Sequence, residues 1–142
     1  MRTGEAIVAE ARRWIGTPYR HSANVLGLGV DCAMLPVEVF KAMGLLPADL
    51  DPRPYATDWH LHRSEEKYLD WVERYGVKVD TPEPGDLALF RFGRCLSHGG
   101  IVCEVTLDEV YMIHADQRAG KVERAEVRRW ADRLKGFWRI AQ

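Results

Sequence analysis

Gly29-Val30-Asp31-Cys32-Ala33-Met34-Leu35 is the stretch on which the reading of this chain turns. A glycine-containing approach ends in an acid and a cysteine, and an apolar run follows at once. The pattern places a cysteine at the start of a buried helix. Backbone N–H groups at a helix start lack intrahelical partners, and the helix dipole is positive there. Both effects favour thiolate over thiol, and the thiolate is the nucleophile. The other reading of Cys32 is a small buried hydrophobe, the commoner fate of a free cysteine. The partners that would separate the two readings have to come from elsewhere in the chain.

Outward from this stretch, residues 32–43 carry Leu35, Val39 and Met43 as a buried helical stripe, and Gly44 stops it. Pro36 predicts an irregular first turn, or a regular helix that begins a residue or two later. Upstream, residues 5–14 form a helix through Ile7, Ala11 and Trp14, ended by Gly16-Thr17-Pro18. Residues 19–30 have no period and read as a loop. Downstream, residues 45–63 are rich in Pro and Asp and hold Trp59, His60 and His62, an irregular connection. Ser64 is a good N-cap for a third helix whose stripe is Tyr68, Leu69 and Val72 and which Gly76 closes.

Beyond Gly76 the period changes to two. Residues 87–90, 98–105, 110–114 and 137–140 read as strands, and 126–134 as a short helix with Val127, Trp130 and Leu134. Helices first and strands after is the α+β order: a central antiparallel sheet with helices on one side.

The 142 residues predict a single domain over 1–142. A net charge of −1 gives no nucleic-acid or anionic-membrane surface. The basic run from Arg124 to Arg133 is interleaved with Glu126 and Asp132 and reads as a solvated helix face. No apolar run approaches membrane-spanning length, so no membrane insertion is expected. The N-terminus lacks the apolar block of a signal peptide, which predicts synthesis and folding in a cytoplasm. Cys32, Cys95 and Cys103 are odd in number and contain no C-x-x-C pair, against a disulfide framework.

Attack by a cysteine on an amide needs a thiolate, a base that returns a proton to the leaving amine, and a group that orients the base. His98 and His114 stand on the two arms of one predicted hairpin. A three-residue loop at 106–108 sets His114 opposite Gly100, with His98 diagonal to it on the same face. A one-residue slip would separate them to opposite faces. The competing reading of each histidine is a half-buried core residue bonded to backbone carbonyls.

Four blocks taken together resemble a known family. They are Asp31-Cys32 at a helix start, Pro84-Gly85-Asp86-Leu87-Ala88-Leu89-Phe90, Ser97-His98-Gly99-Gly100-Ile101, and Ile113-His114-Ala115. In this order, with Trp14-Ile15-Gly16-Thr17-Pro18-Tyr19 before them, they are similar to the NlpC family of papain-like cell-wall cysteine peptidases. The Pro-rich segment from Tyr55 to Trp59 resembles the branch carried in tail gene clusters of phages and phage-like gene transfer agents. The resemblance implies a papain-like fold with the nucleophile helix packed on the sheet. It implies Cys32 as nucleophile, His98 as base and acid, and His114 as the orienter. It further implies that Asp31, Tyr19 and Ser97 bind substrate, with the Cys32 N–H in the oxyanion hole. The implied substrate is the peptidoglycan stem peptide, cut between D-glutamate and the diamino acid, with no cofactor or metal. Implied partners are tail or baseplate proteins, and the implied location is a virion tail. The chain differs from the common family pattern in Ala33-Met34 after the cysteine, in Gly99 after the histidine, and in Pro36.

Two alternatives stand beside this. One is a structural tail-tip component with a weak or inactive site. The other is a zinc-binding structural domain built on Cys95, His98, Cys103 and His114, whose spacing matches no common zinc pattern.

Overall fold

The computed structural model describes residues 3–53, 65–92 and 95–140, and side chains within 3–53, 68–91 and 98–140. The elements in chain order are α1 (Thr3–Arg13), β1 (Asn24–Val25), β2 (Gly29–Val30), α2 (Met34–Ala42), α3 (Glu65–Tyr75), β3 (Gly76–Val79), β4 (Leu87–Phe92), β5 (Cys95–Val105), β6 (Val110–Asp116), β7 (Lys121–Glu126), a 3-10 helix (Val127–Arg133) and β8 (Leu134–Ile140).

Strands β3 to β8 make one sheet in the order β3-β8-β4-β5-β6-β7, with every pairing antiparallel. Alternation along β4 assigns its two faces. Leu87 and Leu89 join Ile101 and Ile113 in the larger core, which the helices cover with Ile7, Leu35, Phe40, Tyr68 and Val72. Ala88 and Phe90 join Val102, Met112 and Val127 in a smaller core, against which Trp130, Leu134 and Phe137 pack. This is the α+β architecture expected from the sequence, with α2 packed on the central antiparallel sheet.

Several local expectations need correction. The loop at 19–30 contains the short ribbon β1–β2, whose two-residue strands cannot show a period. The predicted helix at 126–134 is a 3-10 helix broken at Trp130 (φ −122°, ψ 31°), with Glu126 and Leu134 belonging to the flanking strands. The basic run is therefore not one helix face. Arg124 lies in β7, with its guanidinium 3.8 Å over the Tyr111 ring. Strand β7 buries Val122 and Ala125, three apart, so no alternation marked it. Ser64 and the connection holding Trp59, His60 and His62 fall outside the described residues.

The hairpin β5–β6 reaches the expected register by a different route. Gly100 does face His114. The strands, however, first pair at Val105 and Val110, so the loop has four residues, 106–109. A bulge at Cys103 then absorbs one residue and restores the expected register.

Candidate functional site

The turn before α2 is built on Asp31. Its carboxylate is buried and accepts three backbone N–H bonds: Oδ1 from Ala33 (3.2 Å) and Met34 (2.8 Å), and Oδ2 from Ser22 (2.7 Å). The first two are N-cap bonds to the opening turn. The Leu35 N–H donates to the Asp31 carbonyl at 3.1 Å, so a helical turn already encloses Cys32. Pro36 has no N–H to return to the Cys32 carbonyl, which is why the regular helix begins only at Met34. Cys32 thus sits in the first turn, half-buried, where helix-end N–H groups converge.

Ser22 takes the left-handed backbone conformation (φ 63°) to reach Asp31. Its carbonyl accepts from Arg53 Nη1 at 2.8 Å. Arg53 in turn is bidentate on Asp51 at 2.9 and 2.7 Å and holds that carboxyl down at about 2. His21 Nδ1 stands 4.0 Å from Asp31 Oδ2. The acid beside the cysteine is therefore held by backbone donors on two sides and faces a titratable ring on a third.

Tyr19 sits between β2 and the turn before β7, bridged to Val30 and donating its N–H to the Gly120 carbonyl at 2.8 Å. Its phenol lies 3.7 Å from Cys32 Sγ. Burial first, and the neighbouring Cys32 second, push the phenol up from its ordinary value. It stays protonated and donates to the sulfur.

The two histidines meet as the hairpin register requires. His98 Nε2 and His114 Nδ1 are 2.9 Å apart, and the rings cross at 76°. Gly100, two residues along β5 from His98, is the residue opposite His114, and a Cβ there would lie 2.5 Å from Met112 Sδ. His98 also packs edge-on against Phe90, and His114 against Trp130. Burial pushes both imidazoles well below their ordinary value. The neighbouring His114 adds to this at His98, whereas Asp116 opposes it at His114. Both rings are neutral at neutral pH.

Gly99 couples the cysteine turn to the histidine strand. A Cβ at Gly99 would lie 3.0 Å from Pro36 Cγ and 3.3 Å from Tyr68 Oη. Tyr68 Oη donates to the Ala33 carbonyl at 2.8 Å. The residues flanking Cys32 are thereby docked on the residue next to His98. The departures from the common family pattern fit one another: Pro36 occupies the space that Gly99 leaves open, and Ala33 and Met34 are buried in the larger core.

Of the sequence candidates, Cys32 and Tyr19 meet, and His98 and His114 meet. Ser97 lies in β5, and its side chain is outside those described. Cys103 packs in the helix-side core, away from the histidine face, and Cys95's side chain is not among those described. No group of three metal-binding side chains occurs among the described residues. Sequence reasoning assigned Tyr68 and Trp130 to packing alone. A tyrosine in an apolar stripe was the available signal for Tyr68, since a buried phenol needs a hydrogen-bond partner. No local signal tied Trp130 to His114.

The NlpC/P60 family profile matches residues 16–139. None of the curated proteins matches the chain. Among solved structures, the NlpC/p60 domain of the peptidoglycan hydrolase SagA is similar, with TM-score 0.64 and 22% identity over 98% of each chain. A protein described as similar to lipoprotein, NLP/P60 family, from Staphylococcus aureus has TM-score 0.68 and 20% identity, covering 99% of this chain and 42% of its own. NlpC1 from Trichomonas vaginalis has TM-score 0.69 and 16% identity, covering 96% and 44%. This chain spans less than half of the last two. With the profile running from just after α1 to the penultimate residue of β8, the chain belongs to the NlpC/P60 family.

Proposed function

We propose that the protein is a cysteine endopeptidase that hydrolyses peptidoglycan stem peptides. The observation that carries this is the His98–His114 pair at 2.9 Å on a strand docked to the Cys32 turn. Family membership and the SagA peptidoglycan hydrolase domain support it.

His98 Nε2 is engaged with His114, so Nδ1 is the nitrogen assigned to the thiol. His98 takes the Cys32 proton, and the thiolate attacks the scissile carbonyl carbon. The Cys32 N–H and the helix start stabilise the oxyanion. The C–N bond breaks, His98 returns the proton to the leaving amine, and a thioester forms on Sγ. Water, deprotonated by His98, hydrolyses the thioester and regenerates the thiol. Tyr19 donates to the sulfur from one side. Asp31 supplies a buried negative charge to the ammonium end of the stem peptide, and Tyr19 lines the mouth; the sequence resemblance assigns Ser97 to substrate as well.

The finer reading is a peptidase that cuts between D-glutamate and the diamino acid, made in the cytoplasm and carried in a phage-like tail beside tail or baseplate proteins. The sequence resemblance supports it. Digestion of purified wall fragments tests the activity: wild type releases new amine ends and Cys32→Ala releases none. Equal release by both, or none by wild type, overturns the enzyme reading. Mass spectrometry of the released fragments identifies the bond. Finding the chain in purified tail particles tests the setting.

A further inference from the structure

His114 is fully buried. Its Nδ1 is bonded to His98, but its Nε2 has no hydrogen-bonding partner. The second ring against it is Trp130, with centroids 4.9 Å apart and planes at 68°. The break in the 3-10 helix at Trp130 sets this indole where it packs on the smaller core.

Two neutral imidazoles joined by one N···N bond can hold the shared proton in two ways. In one, His98 Nε2–H donates, His114 carries its own proton on Nε2, and His98 Nδ1 is unprotonated. In the other, His114 Nδ1–H donates, the His98 proton sits on Nδ1, and His114 Nε2 is a bare, buried lone pair. An indole face attracts an N–H and repels a lone pair. The charged groups that act on His114 are Asp116 and Arg129, of opposite sign, so neither decides the matter.

We propose that Trp130 is a positioning residue whose indole face receives the His114 Nε2–H and thereby fixes the proton order of the histidine pair. This arrangement leaves His98 Nδ1 able to accept the thiol proton. That catalytic consequence rests on the peptidase reading, but the proton order does not.

Long-range proton–nitrogen correlation spectra of histidine-labelled protein report the tautomer directly, with no substrate. His114→Gln and His98→Gln assign the signals. Both rings should carry the Nε2–H pattern in the parent chain. Trp130→Leu should shift the His114 balance by roughly threefold or more toward Nδ1–H, and Trp130→Phe should restore it. Cys32 alkylation at neutral pH should slow in Trp130→Leu and recover in Trp130→Phe, with melting curves reporting the fold separately. An Nδ1–H pattern for His114 in the parent overturns the proposal without any variant. So does an unchanged tautomer in folded Trp130→Leu. Absent wall hydrolysis beside the expected tautomers overturns the peptidase reading alone.

Discussion

Asp31 and Asp86 are both buried acids at the point where a turn becomes a regular element. Asp86 opens β4 and is clasped by Arg139 through two bonds of 2.9 Å, while its Oδ2 also accepts from the Glu83 N–H at 2.8 Å. A full guanidinium charge ties the start of β4 to its neighbour β8. Asp31 opens the Cys32 turn and is held by three backbone N–H groups, with His21 at 4.0 Å. One acid is matched by a fixed charge from a strand distant in sequence but adjacent in the sheet. The other is matched by backbone dipoles from its own turn and from Ser22, with the His21 ring beside them. The difference teaches how the fold divides its work: a charge pair ties strand to strand in the scaffold, and backbone donors hold the acid beside Cys32.

The contrast breaks first at Asp86. Asp86→Ala leaves Arg139 with Glu83 alone and frees the turn that Asp86 Oδ2 holds, and should cost about 2 kcal/mol or more in urea unfolding. Turnover per folded molecule should stay as in wild type. Asp31→Asn should cost about 2 kcal/mol, because an amide NH2 would face backbone donors. Wall-fragment hydrolysis should nevertheless fall roughly tenfold with the lost charge. Equal activity losses in the two variants would erase the distinction.

A third variant asks whether packing, as well as charge, holds the site end. Gly99→Ala drives a methyl toward Pro36 and Tyr68 and should destabilise by about 2 kcal/mol. Adding Pro36→Ala should recover part of this, and additive losses would show that the two positions do not touch.

The smallest effect concerns the histidines. His114 is held near 4 in the fold, against an ordinary value of 6.5. Below about pH 6.5 the unfolded chain binds a proton that the folded chain refuses. The stability it contributes is therefore complete above that pH and is lost as pH falls toward 4, by up to about 1.4 kcal/mol per pH unit. Urea melts of His114→Gln at pH 7 and 5.5 should show a shallower loss than wild type.

Much of this was legible in the chain itself. The periods of α1, α2 and the β4–β6 region gave the α+β order. The Asp31-Cys32 pair and the hairpin histidines marked the candidate site, because their chemistry is carried by residue type and parity. What stayed hidden was non-local. Strand β7 buries residues three apart, and its partner β6 decides that it is a strand at all. Pro36 and Gly99 looked like separate oddities, since only the fold sets one against the other. Trp130 reaches His114 through a kink that no sequence period announces.

The bulge at Cys103 makes the hairpin tolerant of length changes at its tip. It lies between the 106–109 loop and the Gly100–His114 rung, so it is one residue of slack in the ruler that measures out the histidine pair. Deleting exposed Leu107 should straighten the bulge and leave Gly100 opposite His114 and His98 diagonal to it, whereas deleting Met112 should turn His114 to the other face. The tip of the hairpin can therefore change length without rewriting the spacing that sets the two histidines together.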